Sequence, residues 1–224
     1  ILDEKNKYIN NFFLYILEKK IIVRPNAIAT NVINGLLLNT DLKDNFSLIE
    51  TGIYPKNLDK IIDKLNKNSL LIQFMKVCPI SNYYFEKNFK KIRSEILNQV
   101  YKLNYNKNYL RFLIALSAQC FLNEYIYTQT NEELKKTKEI NERIKFNIKN
   151  KKINDLEILI LSCYKPLYSF DWSENFNPSH DLSEIFKLQY QDYKEEKNQL
   201  SNIDSILKIK ETVSIKVKNQ YEQN

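Results

Sequence analysis

Glycine is nearly absent from this chain, since only Gly35 and Gly52 occur among its 224 residues. Phosphate cradles, nucleotide-binding turns and tight β-hairpins depend on glycine for close backbone approach and for positive φ angles. The sequence contains no G-x-G motif and no G-x-x-x-x-G-K-[ST] motif. The scarcity of glycine therefore argues against a Rossmann-type nucleotide site and against a fold of many strands.

Residues for metal and acid–base chemistry are also scarce. The chain has one histidine, His180, and three cysteines, Cys78, Cys120 and Cys163. The cysteines are odd in number, widely spaced and set in apolar surroundings, which is typical of reduced thiols and not of a disulfide framework. No cluster of cysteine and histidine predicts a metal site. We expect His180 near the start of a helix and not in a catalytic site.

Long apolar runs and an export signal are lacking as well. No unbroken apolar run exceeds six residues, and a membrane span needs roughly 18 to 20 such residues. The amino-terminal sequence ILDEKNKYINNFF has no cleavable signal pattern. We therefore expect a cytoplasmic protein that does not span a membrane.

The charge balance is positive, with 34 basic and 27 acidic residues and a net charge of +7. The arginines among them are Arg24, Arg93, Arg111 and Arg143. The other basic residues are lysines in a chain rich in Asn, Ile, Tyr and Phe, a mixture typical of A/T-rich codon usage. A nucleic-acid groove favours arginine because the guanidinium contacts phosphate in bidentate geometry. Nucleic acid is therefore not the expected partner, although the lysine-rich segment 135–152 leaves an RNA-binding helical domain as an alternative.

The segment 110–127, LRFLIALSAQCFLNEYIY, contains two charged residues, Arg111 and Glu124. At 100° per residue its apolar side chains fall on both sides, which predicts a helix buried between neighbours. A buried polar group without a partner costs about 1–3 kcal/mol, so the polar residues here need partners. The sequence therefore predicts a structural polar network made of Gln119, Asn123, Glu124, Tyr125, Tyr164 and Tyr168.

Helical spacing and capping signals recur along the rest of the chain. Thr130 and Glu133 form a capping box before a long charged helix, and Asn82 and Asn154 are further caps. The apolar segment 69–80 is predicted as a helix because no second strand is evident to pair with it. We predict an all-α fold, a compact domain of about eight helices around the central helix 110–127. The helical domain is expected over residues 1–205, followed by a linker and junction helix over residues 206–224.

Four segments of the chain resemble one bacterial protein family. They are SNYYFEKNFKKIRSEIL (81–97), ALSAQCFLNEYIYTQTNEE (115–133), LSCYKPLYSF (161–170) and VSIKVKNQYEQN (213–224). The second resembles the family segment "ALA-QCFiNEYVf--t--E", and the last resembles "vS-kVreQYEeNPYPRW". The family is that of the class I SAM-dependent methyltransferases that are often fused to tetratricopeptide repeats. In it, an α-helical region precedes the catalytic domain, and the PYPRW stretch marks the entry to that domain.

The resemblance implies a non-catalytic helical accessory domain of a methyltransferase. Its expected roles are substrate selection, dimerisation or positioning of the catalytic domain. Its partners would be its own methyltransferase domain, a protein substrate and a second copy of the chain. S-adenosylmethionine is implied as the cofactor of the parent protein, with no cofactor in these residues. By the same resemblance, a lid over the cofactor site would be formed by Gln220, Tyr221, Glu222 and Asn224.

Two further functions remain open from the residues alone. A stand-alone helical protein-interaction module could dock a partner through the aromatic loop 170–176, and an exposed Trp172 would favour it. A self-contained enzyme is the least favoured, because one histidine and no nucleotide-binding loop give little from which to build a site.

Overall fold

The computed structural model describes residues 2–19, 23–51, 58–101, 107–149, 154–201, 216–217 and 220. These residues are mostly helical and include no β-strand, so the predicted all-α fold is confirmed. The first nine helices are α1 (Leu2–Glu18), α2 (Pro25–Leu37), α3 (Thr40–Glu50), α4 (Leu58–Lys67), α5 (Ser69–Val77), α6 (Tyr83–Gln99), α7 (Lys107–Leu122), α8 (Asn131–Lys149) and α9 (Asp155–Ser162).

The chain after α9 folds into short helical pieces. Three 3₁₀ turns, Leu167–Ser169, Asp171–Asn175 and His180–Leu182, lead to α10 (Ser183–Phe186). A π-helical segment, Lys187–Gln191, then joins α10 to α11 (Asp192–Ser201). The predicted linker over 206–224 lies outside the described residues except for positions 216, 217 and 220.

Asparagine side chains begin several of the helices. The predicted caps Asn82 and Asn154 are confirmed, because their side-chain oxygens accept from the N–H groups of Tyr84 at 3.1 Å and Leu156 at 3.0 Å. Asn39 starts α3 in the same way. Each such cap stabilises a helix by about 1 kcal/mol. The described residues contain more α-helices than the eight or so that were expected.

Helix α7 is the buried centre of the fold, as predicted. It packs against α4, α5 and α9, and both of its faces are buried, with Phe112 on one face and Ser117 on the other fully shielded from solvent. The carboxyl end of the helix needs a correction, since α7 ends at Leu122 and not at Tyr127. None of the described helices has the length and apolar character that a membrane crossing requires.

Candidate functional site

The end of α7 is a turn in which two residues have positive φ angles, 56° at Glu124 and 57° at Tyr125. The N–H of Tyr125 donates to the carbonyl of Cys120 at 2.9 Å, and that of Glu124 donates to the carbonyl of Phe121 at 3.0 Å. These two bonds form a Schellman motif, whose left-handed residue is usually glycine. A side chain in that conformation costs about 1–2 kcal/mol. The chain is therefore strained where it leaves the central helix.

Arg93 of α6 is 2% exposed and lies where the chain leaves α7 and α9. Its Nη2 donates to the carbonyls of Tyr127 at 3.3 Å and Thr128 at 3.1 Å, and its Nη1 donates to that of Cys163 at 3.4 Å. The guanidinium also lies over the ring of Tyr164, 4.2 Å from the centroid. A buried charge is tolerated only when it is paired and hydrogen-bonded. Arg93 thus fixes segments that lie 34 to 70 residues away in the sequence.

The carboxylate that balances Arg93 belongs to Glu133 at the start of α8. Its Oε1 lies 4.0 Å from Nη2 of Arg93 and accepts from the Tyr164 hydroxyl at 2.8 Å. Its Oε2 accepts from the N–H of Thr130 at 2.8 Å, and the Thr130 hydroxyl oxygen accepts from the N–H of Glu133 at 3.2 Å. The predicted capping box is therefore confirmed. We call Arg93, Tyr127, Glu133 and Tyr164 the Arg93 cluster.

Protonation states in the Arg93 cluster are held away from their transition points at neutral pH. Burial alone would raise the pKa of Glu133, but the bonds from Thr130 and Tyr164 and the charge of Arg93 outweigh it and lower that pKa. Burial raises the pKa of Tyr164 and of Tyr127. A general acid or base works best with a pKa near the operating pH. The carboxylate and the two phenols are therefore suited to fixing structure and not to proton transfer.

A second buried cluster, the Gln189 cluster, is built from neutral groups. Nε2 of Gln189 lies 2.9 Å from the hydroxyl oxygen of Ser117 and 3.3 Å from the carbonyl of Ser162, and Oε1 accepts from the N–H of Leu167 at 3.2 Å. The two serine hydroxyls are 2.6 Å apart, and that of Ser162 donates to the carbonyl of Leu159 at 2.8 Å. Since each hydroxyl has one proton, Ser117 is the donor between them. The π-helical segment is thus bonded to α7 and α9.

The six residues predicted to form one polar network lie in separate surroundings. Gln119 is fully buried, and its amide, oriented by its neighbours, donates to the carbonyl of Cys78 at 3.1 Å and accepts from the N–H of Ile80 at 3.0 Å. The Tyr125 hydroxyl donates to the carbonyl of Ser162 at 3.2 Å, beside the Gln189 cluster.

The other four residues of the predicted network also lie in different surroundings. Tyr164 belongs to the Arg93 cluster, and the amide of Asn123 is buried after the end of α7. Glu124 is exposed on the left-handed turn that follows α7. Tyr168 is 39% exposed and stacks on Tyr193 at 3.8 Å. The residues are not brought together into one network.

Sequence reasoning missed the centres of both clusters, Arg93 and Gln189. Their partners are far away in the chain, so no local spacing reveals them. One signal for Arg93 was available: an arginine stands within the buried stripe of α6, beside Ile92 and Ile96, in a chain whose positive charge is mostly lysine. Arginine is preferred over lysine for buried pairing because its planar fork donates to several acceptors at once.

A second ion pair buries Glu157 of α9, which is 4% exposed. Its Oε1 lies 2.6 Å from Nη2 of Arg143, whose guanidinium covers the ring of Tyr101 at 4.1 Å. Burial raises the pKa of Glu157, and the charge of Arg143 only partly opposes that shift. The two buried glutamates of the protein's α6–α9 half therefore have pKa shifts of opposite sign.

The aromatic loop 170–176 packs inward. Trp172 is 5% exposed, and its indole N–H donates to the side-chain oxygen of Asn141 at 2.8 Å. Its ring lies 5.1 Å from that of Phe170 and 5.9 Å from that of Phe176. An exposed Trp172, which would favour a docking loop, is not observed.

The cysteines are free and buried. Burial raises the pKa of Cys78 to about 11 and that of Cys163 above its ordinary value, so both remain thiols at neutral pH. His180 is fully exposed and begins the 3₁₀ turn that precedes α10, with Nδ1 3.8 Å from a carboxylate oxygen of Asp181. Within the described part of the chain, no three His, Cys, Asp or Glu side chains are placed to hold a metal ion.

The lysine-rich helix α8 exposes charges of both signs. Lys135 and Lys138 are exposed, and so are Glu132, Glu139 and Glu142. Interspersed charges of this kind are typical of a solvated helix face. Of the predicted lid residues, Gln220 is described and exposed, whereas Tyr221, Glu222 and Asn224 lie outside the described residues.

Comparison with known proteins gives no relative: no protein family, curated protein or solved structure matches this chain.

Proposed function

We propose that this chain is a non-catalytic helical accessory domain of a cytoplasmic SAM-dependent methyltransferase. In this proposal it positions the catalytic domain, contributes to substrate selection or mediates dimerisation. The parent protein, and not these residues, binds S-adenosylmethionine and transfers the methyl group.

The observation that carries the proposal is the composition of the Arg93 cluster. Arg93 comes from segment 81–97, Tyr127 and Glu133 come from segment 115–133, and Tyr164 comes from segment 161–170. These are three of the four segments that resemble the methyltransferase family. Their contact in one buried cluster supports treating the resemblance as that of a single structural unit.

The chemistry of the Arg93 cluster favours a structural role in this domain over a catalytic one. Its arginine is shielded from solvent, and the shifted pKa values of Glu133 and Tyr164 keep the carboxylate ionised and the phenol protonated. Such groups hold helices at fixed positions and offer no site for a substrate. The free, buried thiols of Cys78, Cys120 and Cys163 support a reducing compartment.

The described residues do not fit S-adenosylmethionine. A nucleotide-type cofactor site of this class needs a glycine-rich turn between a strand and a helix. Gly35 lies inside α2, and no strand occurs in the described ranges. The proposal therefore assigns the cofactor to a catalytic domain of the parent protein.

The test begins with the codons that follow Asn224 in the parent gene. We expect them to encode a Pro-Tyr-Pro sequence and then a glycine-rich strand–turn–helix. Calorimetry should then show SAM binding by the full-length protein and none by this chain alone. A parent gene without a methyltransferase domain, or SAM binding by the isolated chain, would overturn the proposal.

A second measurement separates positioning from substrate selection. The catalytic domain is expressed alone and assayed with and without this chain added in trans. Positioning predicts that the added chain raises kcat, whereas substrate selection predicts that it lowers KM for the methyl acceptor and leaves KM for SAM unchanged. Dimerisation predicts that the mass of the complex doubles in light scattering.

A further inference from the structure

Helix α1 directs a row of aromatic side chains toward solvent. Tyr8, Phe12 and Tyr15 recur at intervals of four and three residues, so their positions fall within about 60° of one another around the helix. They are 76%, 60% and 53% exposed. The opposite face of α1 packs against α2 and α5, with Leu17 buried. The three aromatic residues, which we call the α1 stripe, form an apolar surface left largely uncovered by the described part of the chain.

The α1 stripe is large enough to form the centre of a protein interface. A buried aromatic side chain covers about 150–250 Å², so the exposed fractions of the stripe and of the neighbouring, half-exposed Ile9 amount to on the order of 400 Å². A stable dimer buries about 800 Å² on each partner, as an apolar core inside a polar rim. The stripe supplies an apolar core that fits an interface of this size, and polar side chains must supply the rest.

One flank of the α1 stripe carries polar residues suited to such a rim. Lys7, Asn11 and Glu18 are exposed and lie on the same side of the stripe, about 60–100° around the helix from Tyr8. Along the helix axis, Lys7 and Glu18 are about 16 Å apart, which is too far for them to pair within one copy. Neither forms an ion pair among the described residues.

The stripe and this flank are symmetric about the middle of α1. When two copies of a helix pack antiparallel across a two-fold axis, residues equally far from the axis on opposite sides of it face each other. Tyr8 of one copy then faces Tyr15 of the other, and Phe12 faces Phe12. The same axis keeps each flank on its own side, so Lys7 faces Glu18 of the second copy. The midpoints of these pairs agree to within about one residue, or about 1.5 Å of helix.

We propose that the α1 stripe is the contact surface of a homodimer in which the α1 helices of two copies pack antiparallel across a two-fold axis. Two-fold dimers are the commonest symmetric assemblies of soluble proteins. The charges select the antiparallel arrangement, because a parallel one places Lys7 on Lys7 and Glu18 on Glu18. A helix that lies on a lipid surface carries basic residues along its polar side, whereas this flank includes Glu18.

The α1 dimer does not depend on the chain belonging to a methyltransferase. It specifies a surface for the dimerisation named among the roles of the proposed function. The mass of the isolated chain tests the dimer, whereas SAM binding by the full-length protein tests the proposed function, so the failure of either leaves the other standing.

The first test measures mass in solution. Sedimentation velocity of the unmodified chain should show a concentration-dependent species of twice 26.8 kDa. Phe12→Asp places two carboxylates against each other at the two-fold axis and should weaken the dimer at least about tenfold. The matched control Tyr83→Asp introduces the same charge at the start of α6, where the side chain is 78% exposed, and should leave the dimer unchanged.

The second test measures which residues face each other. Lys7→Glu and Glu18→Lys each bring like charges together between the copies, and each should weaken the dimer about fivefold. The double variant restores opposite charges, and its dimer should recover to within about twofold of the unmodified chain. Because the two positions are too far apart to pair in one copy, this recovery requires contact between copies. Circular dichroism should show the same helix content in every variant, since the substituted positions are exposed.

Three outcomes would overturn the proposal. One is a mass that stays at 26.8 kDa at concentrations up to about 100 μM. Another is equal weakening by Phe12→Asp and Tyr83→Asp, or a double charge variant that dimerises no better than the two single ones. The third is binding of anionic phospholipid vesicles by a monomeric chain, which would assign the α1 stripe to a lipid surface.

Discussion

The Arg93 cluster and the surface groove lined by residues of α1 to α5 place their positive charges in opposite surroundings. In the Arg93 cluster the guanidinium is buried, donates to three carbonyls and lies 4.0 Å from the carboxylate of Glu133. In the groove the side chains of Lys64 and Lys67 are exposed. The contrast shows that a positive charge stabilises this fold where the chain supplies its partners and is left to solvent where it does not.

Replacing Arg93 should lower the free energy of unfolding more than any other substitution in this comparison. Arg93→Met leaves three carbonyls and the Glu133 carboxylate buried without the guanidinium, and loss of one partner of a buried pair costs about 3–5 kcal/mol. Urea unfolding of the purified chain would measure the loss. Arg24→Met, which removes an exposed arginine, should change the free energy of unfolding by less than about 0.5 kcal/mol. Equal effects of the two substitutions would contradict the assignment of Arg93 as a buried support.

Glu133→Gln should lower the free energy of unfolding by about 2 kcal/mol at neutral pH, because hydrogen bonds to a charged group are worth about 1.5–3 kcal/mol. The folded-state pKa of Glu133 lies below its ordinary value of 4.5. Its contribution is therefore complete above that ordinary value and is lost as the pH falls through the folded-state pKa. The variant should lack this part of the acid-induced loss.

Glu157 gives the control for that pH dependence. Its folded-state pKa is raised by burial, so its contribution is present below the ordinary value and is lost as the pH rises through the folded-state pKa. Unfolding free energies of Glu157→Gln and Glu133→Gln, measured across the acid range, should differ from the unmodified chain with opposite slopes. Slopes of the same sign would show that the two carboxylates are not in the different environments described.

Glu124→Gly should raise the free energy of unfolding by about 1 kcal/mol, because glycine adopts a φ of 56° without the strain of a side chain. The gain would show that the turn after α7 contains local backbone strain, close to the paired charges of the Arg93 cluster. Thermal and urea unfolding would measure it. Glu132→Gly, in the first turn of α8, is the matched control and should lower stability, since glycine costs about 1 kcal/mol within a helix.

Gly35→Ala should have the smallest effect, a gain of about 0.5 kcal/mol from the better helix propensity of alanine. An added Cβ would lie 3.4 Å from the side-chain oxygen of Asn10 and 3.9 Å from the ring of Phe13. Both are close to ordinary contact distances, so the groove wall should accept the methyl group. A loss of stability in urea unfolding would mean that the wall is packed as tightly as the core.

The features that could be predicted from the sequence are those formed within one helical turn. The capping box joins Thr130 to Glu133, and the Asn82 side chain reaches the amides two and three residues later. The buried position of α7 was also predictable, because apolar residues on both faces leave a helix no solvent side.

What could not be predicted depends on distant partners or on an unusual backbone. The end of α7 was missed because Glu124 and Tyr125 adopt an angle that a reader of sequence expects from glycine. The Arg93 cluster was missed because its groups come from segments up to 70 residues apart. The groove was missed for the same reason, since residues from all five of the helices α1 to α5 form its walls.

The π-helical segment Lys187–Gln191 holds one residue more than the same stretch of α-helix would. Because the segment absorbs that residue locally, deleting it should restore α-helical geometry and leave the residues beyond it on their present faces. Tyr193 would then keep its stack on Tyr168, whose ring centroid lies 3.8 Å away. A deletion within α11 has no such segment to absorb it and would rotate the residues beyond it by about 100°. A single-codon deletion should therefore be tolerated better inside the π-helical segment than inside α11.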